Sequence, residues 1–365
     1  MSAPSGVEAA RAVADAALYR GYQLHPHVAG EHGRHGPFGV LTPPAYAGRG
    51  GHSSCRAECL LEHEPGDGSG LVTDPDRRAD LGVLRVRIRF LRLVDRAVWV
   101  GARDGVTPAD AAGGPGGELC AWWEPAPCDQ DALIPLADLL AGAGDVGAGD
   151  VGTRCGGAGG AGPDPARWTI PVVSPAGRNV QLAAVPIGPP GRGRLVRAWH
   201  RLDAQLSLTA RWLPGPFRTV HLGAELRNTS RWSPAAGELA AWGAADPAGL
   251  SGALDAPGGD AVRDEALRRS LIAAHLVFSA PGWRFLSLAR PPWWAVTFAA
   301  SCHNERSWPV PVGGAGLGRD DTALVAPVVL PDHPRPPYAS AGAARAAGRS
   351  HGSAPVYAAS SRPPV

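Results

Sequence analysis

The chain has 365 residues, 44% of them hydrophobic, with 35 basic and 33 acidic side chains and a formal net charge of +2. These figures predict a soluble globular protein large enough for one big domain or two ordinary ones. Near-neutral, interspersed charge excludes a general nucleic-acid binder, which needs a basic face or stripe.

All the basic residues are Arg: the chain has no Lys, its only Met is Met1, and Asn occurs at 179, 228 and 304 alone. Avoidance of residues with AT-rich codons is the mark of a GC-rich genome. It also removes chemistry that needs an amine, namely a Schiff-base Lys, a Walker-type phosphate-binding Lys and a Ser-Lys pair. The 49 Gly and 37 Pro make up nearly a quarter of the chain, so much of its length is expected in turns, long loops and disordered segments.

Ser5-Gly6-Val7-Glu8 fits a capping box, and the Ala/Val-rich run that follows predicts a helix over 6–20, stopped by Gly21. Nothing before it has the basic start and apolar run of a signal peptide, and the best apolar stretch, Leu271 to Ala280, is interrupted by His275. The expected setting is cytoplasmic, without a membrane span. The six Cys, at 55, 59, 120, 128, 155 and 302, are then expected to be mostly reduced.

His25, His27, His32, His35, His52 and His63 crowd into 39 residues that also hold Cys55 and Cys59. Imidazole and thiolate are preferred ligands of zinc and nickel. Cys55-x3-Cys59-x3-His63 would put three donors on one side of a helix, and His25 and His27 complete the candidate metal set. The spacing matches no zinc-finger or ribbon pattern, so no cofactor is predicted, and surface or packing roles are the competing reading.

Leu84, Val86, Ile88 and Phe90 alternate with Arg85, Arg87 and Arg89, which predicts a half-buried strand with three guanidinium groups facing water. Val220, Leu222, Ala224 and Leu226 alternate likewise with His221, Gly223, Glu225 and Arg227, and Leu202 to Leu213 do so more loosely. Antiparallel sheet with one solvated face accounts for such patterns better than parallel units. The fold class expected is mainly β (α+β), sandwich-like, with a few short helices.

Between Gly142 and Gly162, 10 of 21 residues are Gly, which predicts a linker or surface loop over 141–165. Residues 233–259 read as an insertion, and the Pro/Ala/Arg-rich stretch 331–365 as a disordered tail. Two blocks remain, 5–140 and 166–330, which can be two domains or two halves of one sheet system.

Pro291-Pro292 opens a short helix that carries Trp293-Trp294 and ends before Cys302-His303-Asn304-Glu305. Cys302, His303 and Glu305 are the candidate catalytic residues of a thiol enzyme, although neighbours on one turn do not normally orient as nucleophile, base and orienter. The competing reading is architectural: Asn304 and Glu305 satisfy free backbone groups at the helix end, while Trp308 and Val310 anchor the next strand. Most of the 12 Trp are expected in the core, because the chain has just 6 Phe and 5 Tyr.

Several runs together resemble an uncharacterised bacterial protein family encoded beside actinobacterial-type, high-affinity nickel-iron hydrogenases. They are Leu18-Tyr19-Arg20-Gly21-Tyr22-Gln23-Leu24, Phe38-Gly39, Glu58-Cys59-Leu60, Val86-Arg87-Ile88-Arg89-Phe90-Leu91, Arg268-Arg269-Ser270-Leu271 before His275, Phe285-Leu286-Ser287-Leu288-Ala289-Arg290-Pro291-Pro292, Cys302 through Gly313, and Asp321 through Leu330. The likeness spans most of 18–335 in order and is patchy from 100 to 200. His25-Pro26-His27 stands where that family has Tyr-Pro-Tyr, and the tail after Pro337 is Arg/Ala/Pro-rich instead of acidic.

The resemblance implies an accessory or assembly protein of a nickel-iron hydrogenase system that binds a hydrogenase subunit or maturation factor. The alternatives are a thiol- or metal-dependent enzyme and a β-sandwich binding module. The binding surface is expected at Cys302, Asn304, Glu305 and Trp308, with Asp320, Asp321 and Thr322 as a second rim.

Overall fold

A computed structural model describes residues 6–19, 39–47, 51–63, 81–102, 105–109, 111–112, 119–120, 122–141, 153–154, 167–185, 191–233, 259–313 and 320–334. In chain order the strands begin with β1 (Ser54–His63), β2 (Val83–Ala102), β3 (Gly105–Ala109), β4 (Ala111–Ala112), β5 (Leu119–Cys120) and β6 (Trp122–Pro135). Next come β7 (Thr153–Arg154), β8 (Trp168–Ser174), β9 (Gly177–Val185), β10 (Gly191–Trp199), β11 (Leu202–Trp212) and β12 (Thr219–Asn228). The series closes with β13 (Ile272–Ser279), β14 (Trp283–Phe285), β15 (Trp308–Pro311) and β16 (Thr322–Ala326). The helices are α1 (Gly6–Ala14), α2 (Leu136–Ala141), α3 (Gly259–Arg268) and α4 (Val296–Ala300).

The expected mainly β, antiparallel fold with few short helices is what the chain adopts. One sheet has six strands in the order β14-β1-β12-β11-β8-β7, and the other has eight, along β15-β16-β13-β2-β10-β9 with β3 and β6 also on β2. The 20-residue β2 is the spine of the larger sheet. β6 and β3 follow one another along one edge of it, and β13 and β10 along the other. Each sheet mixes strands from the first and second halves of the chain: β1 pairs with β12, and β2 with β13.

Alternation explains the sandwich. Leu84, Val86, Ile88 and Phe90 of β2 meet Cys55, Ala57, Cys59 and Leu61 of β1 and Leu222, Ala224 and Leu226 of β12 in one buried cluster between the sheets. Trp283 closes its end, donating Nε1–H to the carbonyl of Leu81 at 2.8 Å. The outer faces are covered as well. α1 lays Ala10, Val13 and Ala14 on Leu91, Val277 and Leu324 of the larger sheet, while Ala295 and Ala299 of the α4 region cover Leu60 of the smaller one.

Several local expectations can be placed. The helix over 6–20 appears as α1 extended by a wide turn, Asp15–Tyr19; Ser5 of the capping box lies outside the described residues. Most of 141–165 and 233–259, and nearly all of 331–365, also lie outside them.

The alternating arginines Arg85, Arg87 and Arg89 of β2 do not all face water. Arg85 and Arg87 bind Asp131 at the surface, at 2.6 and 2.7 Å. Arg89 is only 2% exposed, roofed by the turn after α1. It donates to Asp15 at 2.9 Å and Asp129 at 3.1 Å, lies over the Tyr19 ring at 5.1 Å, and approaches His275 Nε2 at 3.4 Å. Alternation reports a face, and the helix then covered that face.

Candidate functional site

Glu58, His221 and Cys302 bring one carboxylate oxygen, one imidazole nitrogen and one thiol sulfur within 4.8 Å of one another. Two of them come from adjacent strands. β1 and β12 run antiparallel with Leu60 opposite His221 and Glu58 opposite Gly223, so Glu58 and His221 stand side by side on the outer face of the smaller sheet. The third arrives on the segment after α4, which lies over that face.

The cover is held down by main-chain bonds. Arg56 and Glu305 exchange both N–H···O bonds, at 2.9 and 2.8 Å, so the segment adds a single bridge beside β1. Glu58 Oε2 accepts the N–H of His303 at 2.8 Å, and Asn304 Oδ1 accepts the N–H of Glu58 at 2.8 Å. The same Oε2 lies 3.1 Å from His221 Nε2, and Arg56 donates to Oε1. Gly223, opposite Glu58, is closely packed: a Cβ there would come within 2.7 Å of Thr209 Oγ1.

Burial and charge set the protonation states. Burial opposes ionisation of Glu58, but the His303 N–H, the Arg56 guanidinium and His221 outweigh it, holding the carboxyl below its usual range. Burial lowers the His221 pKa more than Glu58 raises it, and the Arg211 charge lowers it further. Burial, reinforced by Glu58, pushes the Cys302 thiol up to about 11. At neutral pH the trio is therefore a carboxylate, a neutral imidazole and a thiol, a resting state unlike the thiolate of an activated nucleophile. The Cys302 sulfur has one weak contact, with the Phe298 carbonyl at 3.5 Å.

The other sequence-derived candidates are dispersed. His303 takes part through its main chain, its side chain being exposed. Glu305 turns outward and pairs with Arg306 at 2.6 Å. Asn304 does satisfy a free backbone group, but that group belongs to β1 and not to the helix end.

Cys55, Cys59 and His63 lie along a strand, not a helix. At about 3.3 Å per residue, neighbours four apart are separated by about 13 Å, so the three cannot share one ion. Cys55 and Cys59 pack between the sheets, where burial pushes the Cys55 thiol up to about 12, and His63 packs edge-on against Trp283 at 4.8 Å. His25 and His27 lie outside the described residues.

Asp320, Asp321 and Thr322 do not form a rim beside Trp308. Trp308 pairs with Ala326 at the far end of β16 from Thr322, four residues and about 13 Å along the strand. Asp320 instead pairs with His333 at 3.5 Å, and Thr322 is buried against Gly6.

An aromatic patch adjoins the cover. Trp293 is 82% exposed and Val296 51%; Phe217, from the β11–β12 turn, stacks on Trp294 at 4.3 Å and meets Trp293 edge-on at 6.2 Å. Elsewhere, an open groove of about 840 Å³ is lined by His200, Arg201, Arg231 and Arg269. Two of its cations are already paired, Arg201 with Asp203 and Arg269 with Glu265.

The sequence marks neither Glu58 nor His221 as a site residue. The period-2 pattern puts His221 on the polar side of its strand, but nothing in the sequence reveals that β1 lies beside it. Compared with protein-family models, curated proteins and solved structures, the chain matches none.

Proposed function

We propose that this protein is a cytoplasmic accessory or assembly protein of a nickel-iron hydrogenase system, acting by binding a hydrogenase subunit or maturation factor. The system and the partner rest on the ordered resemblance described above. The structural observation that supports a docking role is the aromatic patch of Trp293, Val296 and Phe217.

A Trp side chain held in water on the helical turn that leads into α4 forgoes about 1.5–3 kcal/mol of burial that a partner can supply. Its rings are fixed in advance by the Phe217–Trp294 stack, which reduces the ordering cost of association. Aromatic anchors of this kind dominate protein–protein interfaces. Among the described residues no helix is long and apolar enough to cross a membrane.

The test is a gene deletion, scored by hydrogen uptake and by processing of the hydrogenase large subunit. Both should fall in the deletion strain, return with the wild-type gene, and return poorly with a Trp293→Ser/Phe217→Ser double variant. Unchanged uptake and processing in the deletion strain overturn the reading.

A further inference from the structure

We infer that Glu58, His221 and Cys302 form a binding site for a divalent transition-metal ion of the zinc class. The inference goes beyond the docking role and rests on different residues. One oxygen, one nitrogen and one sulfur donor converge within 4.8 Å, from two neighbouring strands and from a segment pinned to them. Mixed N, O and S donors are the set a borderline ion such as Zn2+ selects.

The spacing suits the ion. Bonds of about 2.0–2.3 Å in tetrahedral geometry place ligand atoms about 3.3–3.6 Å apart. His221 Nε2 and Glu58 Oε2 are 3.1 Å apart already. Cys302 Sγ must move by about an ångström to join them, and the weak 3.5 Å contact with the Phe298 carbonyl opposes little.

The surrounding groups hold the first ligands in place. Arg56 occupies the other oxygen of Glu58, and the His303 N–H and the Asn304 amide oxygen fix its carboxylate and its backbone. Such outer partners ordinarily orient metal ligands. On binding, Cys302 gives up its S–H proton to solvent, and His221 coordinates through Nε2 while its remaining proton resides on Nδ1. Three protein donors leave one position for water or for a ligand from a partner.

The experiment uses the full chain, purified, stripped with a chelator and titrated with Zn2+ by calorimetry and with Co2+ by absorbance. The expected result is one equivalent bound, with a thiolate-to-cobalt charge-transfer band. Cys302→Ala and Cys302→Ser should each abolish the band. His221→Gln should weaken binding at least ten-fold, and Asn304→Ala roughly ten-fold. Cys128→Ala and Trp293→Ser should leave binding intact, which separates failure here from failure of the docking role. Circular dichroism confirms that each variant is folded. Absence of stoichiometric binding by the folded wild-type chain, or a cobalt band that survives both Cys302 substitutions, overturns the site.

Discussion

Glu58 and Asn304 are bound in one direction only: the amide oxygen of Asn304 accepts the Glu58 N–H at 2.8 Å, and the Glu58 carboxylate reaches past Asn304 to the N–H of His303, also at 2.8 Å. A strand interior and a loop separated by 246 residues are thereby closed into one ring of hydrogen bonds. Glu58→Gln keeps the shape and removes the charge, so it should destabilise the protein by about 2–3 kcal/mol. Asn304→Ala should cost about 1 kcal/mol. Because the two bonds hold one segment, the double variant should lose less than the sum, by at least about 0.5 kcal/mol in a urea-unfolding cycle. Strict additivity would show that the ring does not act as a unit.

Arg89, on β2, is the buried charge on which the turn after α1, β6 and β13 converge. Removing it leaves Asp15 and Asp129 facing each other's field without their common cation. Arg89→Ala should cost about 3–5 kcal/mol, more than Arg85→Ala, whose exposed pair with Asp131 contributes under about 1 kcal/mol. Equal urea midpoints for the two variants would contradict this.

His275 predicts a pH dependence. It is buried against the Tyr19 ring at 5.4 Å, donates Nδ1–H to the Ala273 carbonyl at 2.8 Å, and points Nε2 at Arg89, itself bonded to Asp15 and Asp129. Burial lowers its pKa to about 3, with the Ala273 carbonyl opposing and Arg89 assisting. The unfolded chain takes up a proton near pH 6.5 that the folded chain refuses. Stability is therefore unaffected above pH 6.5 and falls on acidification until about pH 3, by up to about 1.4 kcal/mol per pH unit. His52, His200 and His221, also lowered, add the same sign. Urea midpoints measured from pH 7 to pH 4.5 should fall less steeply for His275→Gln than for wild type.

Two tryptophans ten residues apart should behave oppositely. Trp283 is 2% exposed and packs on His63 and Trp212, so Trp283→Ala should cost about 3–5 kcal/mol. Trp293→Ala should change stability by under about 0.5 kcal/mol while weakening the proposed docking. A large loss of thermal stability on substituting Trp293 would assign that residue to packing.

The alternating strands β2, β11 and β12 were legible because period-2 patterning is local, and α1 was legible from its Ala/Val run. β1 was not. Cys55, Ala57, Cys59 and Leu61 alternate with Ser54, Arg56, Glu58 and Glu62, but Leu60, buried under the α4 region, breaks the period, and the same segment also fits the helical spacing Cys55-x3-Cys59-x3-His63. Coverage by a distant segment puts an apolar residue on the face that alternation reserves for polar ones. The candidate site was hidden for the same reason: Cys302 was singled out, but its neighbours follow from the β1–β12 register and from the bridge between Arg56 and Glu305.

The pairing of β1 also bears on how the chain is made. Its two neighbours are β12, at 219–228, and β14, at 283–285, whereas β2 finds β6 within a few dozen residues. During synthesis from the N-terminus, the meander of β2 and β6 can close early. The apolar run through Leu60 and Leu61 must wait, uncovered, for more than 150 residues of further translation, at about 5–20 residues per second. Nascent chains stalled before residue 219 should therefore be the ones that chaperones hold and proteases cut.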